Sequence, residues 1–447
     1  MKLPRLLLLA LAAGAAAAGP DEREPGPASK GKVFQWKSPS GIVCEYFVPG
    51  SYDPARGANL TLILHGSNLD HRWGFANHPA GKFRPDDVVV CPDGTTPNGK
   101  GGFNSLQSAG DLEKLHALHA DLRKRLKVRA TFLYGHSQGS FFAFLYAGAY
   151  PDEVQGVLGQ ASGVWIGTQA TKKHHHQAIA LMHGTADPVV PYGQSVGGLK
   201  FYRDARYPLC RLRSLEGWNH WPEAQQAAQE LAWCEGMITT DPARAVAAFD
   251  ELREIENGAR DFAALADVAR RLRDLEGAPA DARRRAGRAA AAVERLAAKH
   301  AEALARASPT RADTLEEAPW VGHLPLFLRD FDGLPAQAAL ARDWAEPFER
   351  HRKNADKHLR EFWRQREKEP AKAFPAGVAA IKEGFLAPGA ADAGLLAALE
   401  EWRGRSGPLK LPKAAVKEYD GVVVRFLAAR KAGLEAFRKL NGGFREE

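Results

Sequence analysis

Short apolar runs alternate with helix-spaced stripes along the first half of the chain, and stripes alone fill the second. Residues 33–36 and 42–48, flanking Pro39-Ser40-Gly41, predict an opening hairpin. Residues 60–64 (Leu-Thr-Leu-Ile-Leu), 88–90, 130–134, 154–159, 179–182 and 212–215 are further strand-length runs, and Cys91-Pro92-Asp93-Gly94 reads as a turn. Between them, residues 111–126 place Leu112, Leu115, Leu118 and Leu122 three and four apart, which is helical spacing. Residues 140–150 and 223–233 are expected to form a buried helix and a closing helix. Strands buried on both faces and separated by helices predict a mostly parallel sheet in an α/β domain over residues 32–238.

Beyond residue 238 the chain turns to Ala, Leu, Arg and Glu. Asp241-Pro242 is a helix start, a capping carboxylate followed by Pro at the first helical position. Val246, Phe249, Leu252 and Ile255 form one stripe, Phe262, Leu265, Val268, Leu272 and Leu275 another, and Val293 with Leu296 belongs to a third. Residues 239–447 are therefore expected to be an all-α domain, repeat-like in its short helices although no 34-residue period is present. Residues 308–335 are expected to be irregular, and breaks are expected near Pro375, Pro388 and 408–412. No nucleophile constellation or metal spacing falls in this half. Its expected role is a scaffold or a surface for a protein partner.

The chemistry lies where the predicted strands end. Gly135-His136-Ser137-Gln138-Gly139 is a G-x-S-x-G run between a strand and a helix, where a serine on a sharp turn needs glycines beside it. The following helix aims its N-terminal N–H groups at that serine and favours negative charge there. Asp187 follows the strand at 179–182 in His183-Gly184-Thr185-Ala186-Asp187, and His220 follows the strand at 212–215 in Gly217-Trp218-Asn219-His220. In this order Ser137 is the candidate nucleophile, His220 its base, and Asp187 the group that holds the imidazole tautomer. Two N–H donors must face the developing oxyanion. Gln138, after the nucleophile, is one candidate, and Ser67 in His65-Gly66-Ser67-Asn68 is the other, with Asn68 as its substitute.

These pieces resemble α/β-hydrolases of the dienelactone-hydrolase, feruloyl-esterase and polyhydroxybutyrate-depolymerase-like kind over residues 33–236. The matching residues are Leu64-His65-Gly66, the run at 135–139, His183 to Asp187 with Val190-Pro191, and Gly217 to Pro222. Ser137-Gln138-Gly139 and Val190-Pro191 are also similar to phospholipase/carboxylesterase members. The resemblance implies an α/β-hydrolase sheet and hydrolysis of carboxylic esters without a metal or organic cofactor. Two departures leave the substrate class open: Ser140 stands where many such esterases have a second Gly, and residues 65–68 lack a Gly-rich oxyanion run.

About twenty residues separate the strands at 154–159 and 179–182, too few for a large helical cap. An open cleft fits small or polymer-linked esters, polysaccharide esters included, and Trp165, Trp218 and Trp221 are candidate substrate-binding residues. Lys172 to His176 reads as a solvated run, not a metal site. A serine peptidase of the prolyl-oligopeptidase type, or a catalytically silent hydrolase fold used for binding, are the alternatives.

Charge adds an exclusion. The chain has 61 basic and 53 acidic side chains, net +8; residues 1–240 carry 24 and 20, and the remainder 37 and 33. Each part is only +4 with signs interspersed, which lacks the basic footprint of a nucleic-acid binder. The even split also gives no sign of electrostatic attachment between the parts, so a fragment ending near Thr239 is expected to fold alone. Lys2, Arg5, the apolar run 6–13 and Ala16-Ala17-Ala18 read as a signal peptide over residues 1–18, followed by a flexible leader at 19–31. Export, secreted or periplasmic, is the expectation, and no stretch reaches the roughly 20 apolar residues of a membrane span. Cys44, Cys91, Cys210 and Cys234 are then either buried thiols or members of one or two disulfides.

Overall fold

Each apolar run becomes a strand, with edges within two residues of those expected in most cases. The computed structural model describes residues 21–94, 102–103, 110–215, 217–255, 260–306, 320–366, 368–387 and 393–446. The signal peptide expected at 1–18 lies outside the described residues. The strand order is β1-β2-β4-β3-β5-β6-β7-β8. By internal contacts the chain divides within β5 (Val128–His136) into one unit ending at Thr131 and another beginning at Phe132.

In the first unit β1 (Val33–Lys37) and β2 (Val43–Phe47) form the expected hairpin, and β2 also runs antiparallel to β4 (Val88–Pro92). β4 is parallel to β3 (Ala58–Leu64), whose seven residues are all buried. The run Cys91-Pro92 extends β4, so the expected turn begins only at Asp93. The unit also holds α1 (Arg72–Asn77) and α2 (Gly110–Arg125), the latter burying Leu115, Leu118 and Leu122 as its spacing requires. Register places Cys44 opposite Pro92 and Cys91 opposite Glu45, which puts the two thiols on opposite faces of the sheet. None of the four cysteines is in a disulfide.

In the second unit β6 (Gly156–Gln160), β7 (Ala178–Gly184) and β8 (Cys210–Leu215) continue the sheet in parallel from β5. α3 (Gln138–Ala149), α4 (Gly193–Asp204) and α5 (Ala224–Ile238) connect and close it. β8 differs from the apolar strand expected: its buried positions are Arg211, Arg213 and Leu215. The buried guanidinium groups are neutralised from three sides. Arg211 and Arg213 both pair with Asp261, Arg211 Nε lies 3.4 Å from Glu230, and Arg213 Nη2 lies 3.8 Å from Asp330.

Residues from 239 onward belong to this same unit. They form α6 (Pro242–Arg253), α7 (Phe262–Asp274), α8 (Ala280–Ala305), α9 (Trp320–Asp330), α10 (Pro335–Asp343), α11 (Ala345–Gln365), α12 (Pro370–Leu386), α13 (Ala393–Gly404) and α14 (Lys413–Gly442). Asp241 caps α6 as expected, accepting from Ala243 N at 2.9 Å. These helices run from 9 to 30 residues, too unequal for a repeated unit. Two expectations fail at prolines. Residues 320–330, expected to be irregular, are the helix α9 in spite of Pro325, and α12 runs through Pro375. An interior Pro costs a helix about 3 kcal/mol, but α9 buries Trp320, Leu324 and Phe327 and α12 buries Phe374, Val378 and Ile381. Burial of that size offsets the lost bond. Among the described residues no helix is long and apolar enough to cross a membrane.

Candidate active site

The turn from β5 into α3 holds Ser137 at φ 52° and ψ −120°, a strained backbone for a residue with a side chain. Surrounding bonds hold it there: Ser137 N donates to Gln160 O at 2.9 Å, and Ser140 N and Phe141 N donate to Ser137 O at 3.0 and 3.3 Å. The glycine before it is obligatory. A Cβ at Gly135 would lie 2.3 Å from Ser140 Cα.

The candidate acid Asp187 and the candidate base His220 lie in the turns after β7 and β8, and the two turns are tied together. Thr185 Oγ1 accepts from Gly217 N at 2.9 Å, and Ala186 N donates to Trp218 O at 3.0 Å. Gly184 permits this approach, since a Cβ there would lie 2.3 Å from Trp218 O. Across the junction His220 Nδ1 donates to Asp187 Oδ2 at 2.8 Å, with the carboxylate sealed from solvent. Asp187 Oδ1 accepts from Val189 N and Val190 N at 2.8 and 3.0 Å. Burial works to raise the Asp187 pKa, but the His220 hydrogen bond and these amides prevail and hold it below the usual carboxylate range.

Three residues that the sequence reading did not single out support this arrangement. His183, the penultimate residue of β7, donates from Nε2 to Asp187 Oδ2 at 3.0 Å, and burial holds its imidazole below the ordinary range. Gln160, at the end of β6, donates from Nε2 to His220 O at 3.0 Å, and its Oε1 meets Nδ1 of His136. Since Gln160 O also accepts from Ser137 N, one side chain and its own backbone join the serine turn to the histidine loop. The His136 ring lies 5.0 Å from that of His220 and carries Trp221 stacked at 5.7 Å. The available signal was a polar residue at the carboxyl end of a buried parallel strand, the position where ligands meet α/β sheets.

Trp218 and Trp221 are 40% and 54% exposed, large for indoles beside a buried histidine. Trp165 instead stacks on Phe141 of α3 at 5.5 Å. Gln138 is the first residue of α3, directly after Ser137. In the first unit Ser67 is exposed in the loop after β3, beside Asn68 at φ 65°. His65 secures that loop: Nδ1 donates to Gly66 O at 2.9 Å, leaving Nε2 to accept from Gly94 N at 3.2 Å. Burial holds the His65 imidazole low, in keeping with an accepting nitrogen. His71 fixes the same corner through Asp93, Nδ1 to Oδ2 at 2.9 Å. The run at 172–176 spends its imidazoles on backbone: His175 and His176 each donate from Nε2 to a carbonyl at 2.9 Å, and His174 Nδ1 accepts from Thr171 N at 3.0 Å.

The family model for phospholipase/carboxylesterase matches residues 105–231. Among solved structures, a carboxylesterase of Bacillus cereus is 17% identical, covering 44% of this chain and 95% of that one at a TM-score of 0.38. Esterase PE8 is 23% identical over 42% of this chain and 95% of its own, TM-score 0.34. A thermostable esterase is 18% identical with a TM-score of 0.34; the match covers 41% of this chain and about half, 54%, of that one. No curated protein matches. With a mostly parallel eight-stranded sheet flanked by helices and a serine on the turn after β5, the fold is that of an α/β-hydrolase, and residues 105–231, which include that turn, are similar to the phospholipase/carboxylesterase family.

Proposed function

We propose that the protein is an exported serine hydrolase of carboxylic esters. Ser137 attacks the ester carbonyl while His220 Nε2 takes its proton; the alcohol leaves with that proton, and water repeats the sequence on the acyl-enzyme. Asp187 keeps the His220 Nδ1 proton in place and stabilises the imidazolium. The N–H groups of Gln138 and Ser67 are assigned to the oxyanion, and Trp165, Trp218 and Trp221 to small or polymer-linked ester substrates. The observation that carries this reading is the 2.8 Å bond from His220 Nδ1 to a solvent-sealed Asp187, beside a serine held at positive φ. Ser-His-Asp chemistry needs no cofactor. The helical half is assigned to scaffolding and partner binding.

The test is covalent labelling by a fluorophosphonate together with a panel of acetyl, feruloyl, short-chain aryl and peptide substrates. The wild-type chain is expected to label and to hydrolyse at least one ester, and Ser137→Ala to do neither. Wild-type labelling persisting in Ser137→Ala, or cleavage confined to peptides, overturns the assignment.

A further inference from the structure

Asp187 serves two histidines. His220 Nδ1 and His183 Nε2 both reach Oδ2, at 2.8 and 3.0 Å. His183 is fully enclosed, as is the carboxylate it touches. Its Nε2 also lies 3.0 Å from Val190 O. Carboxylate and carbonyl oxygens both accept, so Nε2 carries a proton and is shared between them. The other nitrogen, Nδ1, lies 2.7 Å from Ser195 Oγ, which itself contacts Ser162 O. The Tyr192 ring packs edge-on at 5.7 Å. The imidazole is therefore held on both nitrogens and against one face, and through Nε2 it clamps both ends of the turn 187–190.

We infer that His183 is a positioning residue for the hydrolysis proposed above: its Nε2–H fixes the Asp187 carboxylate in the rotation that aims Oδ2 at His220 Nδ1. This rests on the serine-hydrolase reading. The terminal torsion of an Asp is broad, so hydrogen bonds decide which way its oxygens point. Two amides hold Oδ1. Without His183, Oδ2 in a dry site has one donor, His220, and that donor is the group that must be free to recoil from Ser137 and return during turnover. With His183, the acid stays fixed while His220 moves. His183 is fully enclosed and spends its nitrogens on Asp187, Val190 O and Ser195, so its removal is expected to be felt in turnover and not in binding.

The experiment is a double-mutant cycle on the full chain, using the best aryl ester of the panel and the rate of fluorophosphonate labelling. His183→Ala is expected to lower kcat by about 10- to 100-fold, the effect of losing one hydrogen bond to a charged group, with KM within about twofold. His183→Gln, which can return an N–H to Oδ2, is expected to recover most of that loss. In an Asp187→Asn background His183→Ala should cost under about threefold, because the group it positions is gone. Ser195→Ala, a gentler disturbance of the same imidazole, is expected to give a smaller loss of kcat that also vanishes in Asp187→Asn. It carries the test if His183→Ala does not fold. Additive losses in the cycle, a loss confined to KM, or a folded His183→Gln as slow as His183→Ala overturns the positioning role alone. A wild-type chain that neither labels nor hydrolyses overturns the hydrolase reading and this role with it.

Discussion

Arg213 on β8 and Asp261 at the start of α7 form an ion pair with both side chains closed to water, 1% and 0% exposed. Asp261 also caps α7, with Oδ1 accepting from Ala264 N at 2.8 Å, while Oδ2 takes both Arg211 and Arg213. Burial works to raise its pKa, but the two guanidinium groups overcome that and hold it at about 2. Glu230, in the same cluster, is pushed up to about 7 by burial against the pull of Arg211. Asp261 is thus the dependable counter-ion. The even division of charge along the sequence concealed this, because net charge counts groups and not who is buried with whom.

Asp261→Asn keeps a capping oxygen but removes the charge, leaving two buried arginines undercompensated. Breaking a buried pair in this way costs about 3–5 kcal/mol. A lower urea midpoint than wild type is expected, with the helical content retained before the transition. A midpoint unchanged within error would show that Glu230 and Asp330 suffice.

Truncation after Thr239 removes Asp261 and Asp330 together and uncovers α5. It also removes Arg430, whose Nη2 would sit 2.9 Å from a Cβ placed on Gly217 in the loop leading to His220. The independent fragment expected from the sequence is therefore replaced by the opposite expectation: a fragment ending at Thr239 is aggregated or inactive. Size-exclusion chromatography and ester hydrolysis check this, and a monomeric fragment at full rate would contradict it.

Two histidines are expected to make the helical half sensitive to acid. His300 Nε2 donates to Asn441 Oδ1 at 2.8 Å, so its Nδ1 accepts from His323 Nε2 at 2.8 Å, amid Phe327, Phe331 and Phe437. Burial depresses their pKa values to about 4 and about 3. Unfolded, both would take protons near pH 6.5. The unfolded chain therefore binds more protons below that pH, and stability falls from about pH 6.5 down towards pH 3–4. Depressed carboxylates such as Asp261 lose stability in the same direction but lower on the scale, so a variant must separate the two. Urea midpoints at pH 7.5 and 5 should drop in wild type and drop less in His323→Gln. Equal drops would place the acid sensitivity elsewhere.

Asp187→Asn tests the tautomer argument. An amide can turn its NH₂ towards His220 Nδ1 and so favour the ring with its proton on Nε2, where the base is needed. A loss of about 10³- to 10⁴-fold in kcat is expected with the thermal midpoint nearly unchanged. A loss below tenfold would mean that His220 is oriented by other contacts, Gln160 first among them.

The parts of the fold that could be read from sequence were those where one local pattern has one physical meaning. Residues 60–64 and 179–182 are apolar without alternation because both faces of an inner parallel strand are covered. The turns that carry Ser137, Asp187 and His220 were legible because each is a short run whose glycines serve the turn itself. Arg211 and Arg213 were not, since their counter-ions lie 17 to 50 or more residues away and alternation then points the wrong way. Neither were α9 and the continuation of α12, where packing outweighs proline. His183 stood within a recognised motif without a role, and Gln160 lay outside every motif; their partners belong to other strands and turns.

Gln160 offers the last prediction, because its contacts are so unequal to its ordinary appearance in sequence. It is 1% exposed and closes β6 at the point where the serine turn and the histidine loop meet. Its Nε2 supplies His220 O and its Oε1 supplies His136 Nδ1, so Gln160→Leu, near in volume, leaves both without their partner in a buried site. Its own backbone O still accepts from Ser137 N, so the serine turn survives. Each orphaned group costs about 1–3 kcal/mol, which loosens the loop carrying His220 and the His136 ring beneath Trp221. A fall of about 10- to 100-fold in kcat is expected, along with a raised KM for aromatic esters that use Trp221. Gln160→Glu is expected to be no better, since a carboxylate cannot donate to His220 O. Fluorophosphonate labelling at wild-type rate in Gln160→Leu would show that the histidine loop is held by the Thr185–Gly217 and Ala186–Trp218 bonds alone.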